Sequence, residues 1–436
     1  MRFWWQAKLT RLHLRAACAA GAAIIFCSIV LLAGCGPPTL AQKIDVYLWE
    51  KHTALAFSGS VLVAMKGEII LRKGYGLADY ERGIVNTPET KHRICSISKV
   101  LTNLGVLTLC ERGLISLDDT VARFYDDFPN GDSITLRHLL EHTAGLYDIH
   151  NDDPDFEREA RRPKSLDDLI AAFKDKPLKW PPGTAYGYSN SGYILLAGII
   201  EKVTGKSYGE YLEEALFLPL GMYSSGDYRN QHVEGLAVAY TVHGDKPERT
   251  DDYHWSNFTG SGSVYSTVDD LYRLHRALME GEIVSKESIG RGGDFLVAFG
   301  YLPGLSSGML RYPSQDLVVI VLGNLSDTVD GICYDIATMA LTHGAKAPEQ
   351  RDLERYTGKY ETPDGAMFDV ELRKGRLIVS LAGTQELLPL GTGPDGLFLM
   401  GNVIVQFVET ETGMEMRMPD YEATPAGSLC GVRIEH

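Results

Sequence analysis

Apolar and polar residues alternate along this chain in patterns that change twice. Residues 59–65 and 68–72 are short apolar, β-branched runs split by Lys66-Gly67, which predicts a hairpin. Between 98 and 112 apolar side chains recur at Val100, Leu101, Leu104, Leu107 and Leu109, and Gly113 follows. That spacing and that stop predict a buried helix. Residues 191–203 and 267–279 predict two more helices, and 295–301, 306–312 and 317–322 predict three consecutive strands. Two strands, a mostly helical middle and three strands make an α+β plan. The antiparallel sheet is closed by both ends of the segment and flanked by a helical insertion.

After Gly344 the pattern changes. Runs at 368–372, 376–380, 397–400 and 403–408 alternate with turns and show no helical period. They predict a separate small antiparallel β domain over 345–436, suited to packing, dimer contact or lidding.

The N-terminus differs from both regions. Arg2, Lys8, Arg11 and Arg15 precede an apolar run from Ala16 to Ala33, and no acid occurs before Asp45. A basic region followed by an apolar one is an export signal. Ala33-Gly34-Cys35 resembles the lipobox of bacterial lipoproteins, which implies cleavage before Cys35 and acylation of that cysteine. The competing reading is an uncleaved anchor, because about 18 apolar residues is the lower limit for spanning. Either way the body is held at a membrane, outside the cytosol. By the same resemblance, Gly36 after the cysteine implies the periplasmic face of the outer membrane in a Gram-negative cell. The chain then divides into a signal at 1–34, a tether and first helix at 35–58, a main domain at 59–344 and the β domain at 345–436.

Composition narrows the function. The chain has 436 residues, with 42 Lys+Arg against 57 Asp+Glu and a net charge of −15. Removing residues 1–34 takes four basic residues and no acid, leaving −19. Such a chain repels phosphates, so no nucleic-acid partner is expected. Seven cysteines without a C-x-x-C pair suggest neither a disulfide scaffold nor a zinc ribbon.

Two strings carry chemistry. Ser96-Ile97-Ser98-Lys99 opens the helix predicted from 98, and it is the single S-x-x-K in the chain. Three residues apart on a helix, Ser96 and Lys99 share a face, with Ser96 at the positive end of the helix dipole. A lysine accepts a hydroxyl proton only when neutral, which demands desolvation or a neighbouring positive charge. The bland alternative is a surface serine beside a snorkelling lysine. The second string, Pro181-Pro182-Gly183-Thr184-Ala185-Tyr186-Gly187-Tyr188-Ser189-Asn190, precedes an apolar helix. A Tyr-x-Asn there can supply a phenolic base and an orienting amide, although Tyr228-Arg229-Asn230 repeats the pattern by chance.

Together these strings resemble the serine β-lactamase and penicillin-binding-protein superfamily, most closely its class C-like hydrolases and esterases. Gly74-Tyr75-Gly76-Leu77-Ala78-Asp79, Ile134 to Leu146 and Gly260 to Leu271 add to the resemblance, which covers about residues 40 to 340. The trailing β domain resembles the lipocalin-like appendage of such proteins. The resemblance implies Ser96 as acyl-forming nucleophile, with Lys99 and Tyr188 sharing the role of general base. It implies Asn190 as substrate-holding amide, and backbone N–H groups of Ser96 and Tyr301, beside Gly300, as an oxyanion hole. No cofactor and no metal are implied. The substrate is then a small-molecule or peptide ester or amide, peptidoglycan-peptide and β-lactam compounds included.

One motif departs from the family. Its third signature is Lys or His, a small polar residue and Gly. Here Ala298-Phe299-Gly300 stands in that place. Loss of the cation lowers the expectation of substrates bearing a carboxylate and favours a neutral ester or amide. It also opens the alternative of a catalytically impaired binding or scaffold protein.

Other patterns have bland readings. His138-Leu139-Leu140-Glu141-His142 matches a zinc signature but names no third ligand. Gly304-Leu305-Ser306-Ser307-Gly308 matches a hydrolase elbow, yet strand-like residues follow where a helix is required. Asp126-Asp127 and the acidic run 151–155 read as solvated loops, and Cys95 as a small buried residue.

Overall fold

The computed structural model describes residues 37–250, 253–291, 296–325, 329–345, 350–363, 365–380, 385–389, 396–401, 403–410, 413–421 and 429–435. The expected signal, Cys35 and the predicted strand start at Phe295 lie outside these. Among the described residues no helix is long and apolar enough to cross a membrane.

The central sheet has five antiparallel strands: β1 (Gly59–Met65), β2 (Glu68–Tyr75), β3 (Val297–Leu302), β4 (Leu305–Tyr312) and β5 (Leu317–Gly323). Their spatial order is β3-β4-β5-β1-β2, so the two ends of the segment meet where β1 pairs with β5. β2 runs three residues beyond its predicted end. Every residue of β5 is buried, which explains its unbroken apolar run rather than an alternating one. On one face Leu62, Ala64, Val318, Ile320 and Leu322 join a large apolar cluster with the Ser98–Glu111, Asn190–Thr204 and Val268–Glu280 helices. On the other lies the Val329–Thr342 helix, which a Cβ on Gly308 or Gly323 would strike. The three helices predicted in the middle segment are thus observed within one or two residues of their expected ends.

The C-terminal strands form a closed antiparallel barrel of eight: Gly358–Glu361, Met367–Arg373, Arg376–Val379, Gln385–Pro389, Leu397–Met400, Val403–Thr410, Gly413–Arg417 and Leu429–Glu435. Each strand pairs with the next, and the last pairs back on the first. Four of the eight are those expected from sequence. The inward positions carry Tyr360, Phe368, Phe398, Phe407 and Met416, so the barrel interior is packed with aromatic and sulfur side chains. Closure leaves no sheet edge exposed to further strand pairing.

Candidate active site

Ser96 does not stand on the helix itself. It lies in a single 3-10 turn, Cys95–Ile97, which runs directly into the Ser98–Glu111 helix. Cys95 before it has φ of 46°, a left-handed conformation costly for a residue with a Cβ. That bend holds Ser96 out at a cavity while Cys95 is buried and its thiol is pushed up to about 12 by burial. The thiol is therefore protonated and inert at neutral pH.

Lys99, only 6 % exposed, comes back under the turn. Its Nζ lies 3.1 Å from Ser96 Oγ, 2.8 Å from Asn190 Oδ1 and 2.7 Å from the Ser261 carbonyl. The last two are obligate acceptors. They occupy two N–H groups of Lys99 and leave its third tetrahedral position facing Ser96. There an ammonium donates to Ser96, or the lone pair of a neutral amine accepts from it, so the geometry suits both states of a proton carrier. From the other side Tyr188 OH stands 2.9 Å from Ser96 Oγ. The Tyr188 ring also lies against the end of Lys99, 4.8 Å from Nζ to its centroid.

Asn190 starts the Asn190–Thr204 helix, capped by Ser189. Buried Asp148 accepts from its Nδ2 at 3.1 Å and from its backbone N–H at 3.2 Å. A carboxylate can only accept here, so the amide must turn its NH2 to Asp148 and its oxygen to Lys99. Asp148 is fixed in turn by His150 N–H on one oxygen and Asn151 Nδ2 on the other. Sequence reading missed Asp148 and the Ser261 carbonyl. The one local hint was an aspartate shortly followed by a polar run, where the His150 amide donates to Asp148 in an Asx-type turn.

Gly300 of β3 packs directly on the nucleophile turn. A Cβ there would sit 2.6 Å from both Ser96 N and Ile94 O. Ser307 on β4 ties the same turn down by donating to Ile94 O at 2.6 Å. Tyr301 follows at the cavity wall, 40 % exposed. Ala298, in place of the family cation, is instead buried in the main apolar cluster. Phe299, on the strand face opposite Ala298, lines the cavity beside Tyr301, with its ring 5.6 Å from Tyr334. The cavity between these walls measures about 460 Å³ and reaches Ser96, Tyr188 and Asn190.

The remaining patterns prove structural. The helix bearing His138 ends at Leu140, and His142 has φ of 59°, so the two histidines do not share a helix face. His138 Nδ1 accepts the Thr135 amide and His142 Nδ1 accepts the Ser189 amide. The His142 ring lies 4.6 Å from that of Tyr188 and backs it. Ser306 sits inside β4 between strands, which excludes a strand-to-helix elbow. Asn230 accepts the Trp255 amide, and Arg229 pairs with Asp227. Asp127 pairs with Lys174, and Asp152 pairs with Lys179.

The antiparallel sheet flanked by helices, with Ser96, Lys99 and Tyr188 gathered at its cavity, is the architecture of the β-lactamase-type serine hydrolases. The Beta-lactamase family model matches residues 52–310, and the chain belongs to that family. It is 31 % identical over 303 residues to the putative penicillin-binding protein PbpX of Bacillus subtilis, covering 66 % of this chain and 74 % of that one. It is 30 % identical over 250 residues to the teichoic acid D-alanine hydrolase of Staphylococcus aureus, covering 56 % and 59 %. Among solved structures it resembles FmtA from Staphylococcus aureus, with a TM-score of 0.59 at 25 % identity over 68 % of this chain and 88 % of that one.

Proposed function

We propose that this protein is a membrane-tethered hydrolase of esters or amides that works through an acyl-enzyme on Ser96. The observation that carries the reading is the sharing of Ser96 Oγ by Lys99 Nζ and Tyr188 OH at the floor of an open cavity. Ser96 Oγ attacks the substrate carbonyl carbon while its proton passes to Lys99. The oxyanion is received by the Ser96 and Tyr301 amides, a pairing supported by the close approach of Gly300 to the Ser96 N–H. Tyr188, half exposed at the cavity, gives its own proton to the leaving alcohol or amine as the C–O or C–N bond breaks, and the phenolate is reprotonated by the proton that Lys99 took from Ser96. Water then attacks the acyl group, and the acid leaves with Ser96 restored.

The relative that hydrolyses D-alanine from teichoic acid supports ester chemistry for this chain. Incubation with a fluorophosphonate or β-lactam probe is expected to add one acyl or phosphonyl mass to the peptide bearing Ser96. Folded protein that no serine probe modifies would instead favour the non-catalytic reading that Ala298 motivates.

The tether follows from the four basic residues, the apolar run and Cys35 at the N-terminus. Expressed in a Gram-negative host, the protein is expected to incorporate labelled palmitate and to sediment with outer membrane. Cys35→Ala releases it unlabelled. Retention of label in that variant refutes lipidation at Cys35.

A further inference from the structure

The cavity has a sign. Among the described residues that line it, Glu157 is the one with a charged carboxylate, and no lysine or arginine takes part. Lys99 lies buried behind Ser96 with its donors turned to Ser96, Asn190 and Ser261, and the buried Asp148 carboxylate on the far side of Asn190 offsets its charge. His150, also in the lining, is held neutral at pH 7, since burial pulls it down to about 4. Tyr301, on the same cavity, brings no cation either: burial and the neighbouring Asp330 carboxylate hold its hydroxyl protonated.

Glu157 is also built into an aromatic surface. Its Oε2 accepts from Tyr253 OH at 2.6 Å, so the carboxylate has a fixed placement. Next to it Phe156 lies 4.4 Å from the His150 ring and 5.9 Å from Phe258, and Tyr253 lies 5.7 Å from Phe258. Phe156 and Phe258 are both buried cavity walls. A carboxylate set beside aromatic faces attracts an organic cation twice, by charge and by the ring quadrupole. The same wall repels a carboxylate. The cationic residue that would have drawn one is replaced by Ala298, which is packed into the core.

We infer that the cavity takes esters or amides whose non-reacting end carries an ammonium group, with Glu157 as its counter-charge and Phe156 and Phe258 as its aromatic walls. The inference rests on the acyl-enzyme reading for its reaction, but the subsite can be tested without turnover.

The probes are acetylcholine and its neutral carbon isostere, dimethylbutyl acetate, which differ in charge and hardly in shape. At low ionic strength, wild-type kcat/KM is expected to favour acetylcholine by about tenfold. Glu157→Gln brings the ratio near one, and Glu157→Lys inverts it. Titration calorimetry on Ser96→Ala protein is expected to show the same preference in Kd, lost in the Ser96→Ala/Glu157→Gln double variant. Equal or weaker binding of acetylcholine, or a preference that survives loss of Glu157, overturns the subsite. Preferential binding through Glu157 in protein that hydrolyses neither ester and that no serine probe modifies leaves the subsite standing and removes the acyl-enzyme reading instead.

Discussion

Replacing Ser96 or Lys99 by alanine is expected to lower kcat/KM for a short-chain ester by about 1000-fold or more, and replacing both should cost little beyond either alone. The two act on one proton. Without Lys99 the Ser96 hydroxyl has no buried acceptor, and without Ser96 the amine has no nucleophile to activate. Losses from residues that act as a unit do not add. Tyr188→Phe removes one hydroxyl and leaves Lys99 in place, so a loss of about 100-fold is expected, concentrated in kcat. Thermal unfolding of each variant separates chemistry from folding. That control matters for Lys99→Ala, which strips a donor from Asn190 Oδ1 and the Ser261 carbonyl. Multiplicative losses in the double variant would show that Ser96 and Lys99 do not share a step.

The second large effect is on stability in acid. Four histidines are held neutral by burial: His92, His142 and His275 are pulled down to about 3, and His150 to about 4. The local bonding gives the reason. Ser60 Oγ donates to Thr87 O at 2.7 Å, so the His92 Nε2–H must donate to Ser60. Nδ1 is then left buried without an acceptor for a second proton. His275 Nδ1 likewise accepts from Arg311, so a proton there would meet a guanidinium. An unfolded histidine titrates near ~6.5. Between that value and 3 to 4 the unfolded chain binds more protons than the fold, so stability is full above about pH 6.5 and falls as pH drops. Each fully buried histidine contributes a slope approaching ~1.4 kcal/mol per pH unit, and the partly exposed His142 and His150 contribute less. Asp227, Asp270 and Asp420, raised by burial, act in the opposite sense: their contribution is greatest in acid and is lost as pH rises. The histidines outnumber them below pH 6.5. The melting temperature is therefore expected to fall steeply from pH 7 to pH 5, and His92→Asn should flatten that fall by about one proton. A flat profile over this range would mean that the buried histidines take up no protons on unfolding.

Much of the fold was legible because its signals are local. The hairpin at 59–72, the three strands after 295 and the three long helices follow from periods of two and 3.6 and from glycine stops, which depend on neighbours in sequence. In the barrel, 358–361, 385–389, 413–417 and 429–435 went unread, because runs this short bear little periodic signal even where, as in Gly413-Met414-Glu415-Met416-Arg417, they alternate. They become strands by pairing with distant neighbours, 429–435 with both 413–417 and 358–361. Ser96 and Lys99 were legible as a pair, since three-residue spacing is local, but the 3-10 turn and the left-handed Cys95 were not. Nothing beside a non-glycine residue announces positive φ. It is imposed here by contacts with β3 and β4, some 200 residues away.

By itself the sequence determined which residue types were available and how they were spaced: a serine and lysine on one turn, a tyrosine and asparagine before a helix, and an alanine where the family resemblance implies a cation. Only the tertiary structure decided how buried polar atoms satisfy one another. It turned Asn190 by way of Asp148, filled two positions of Lys99 with Asn190 and Ser261, set His142 behind Tyr188 and left Glu157 as the cavity's carboxylate. Buried donors and acceptors must find partners wherever the fold brings them, and those partners lie tens to hundreds of residues apart, beyond any local period.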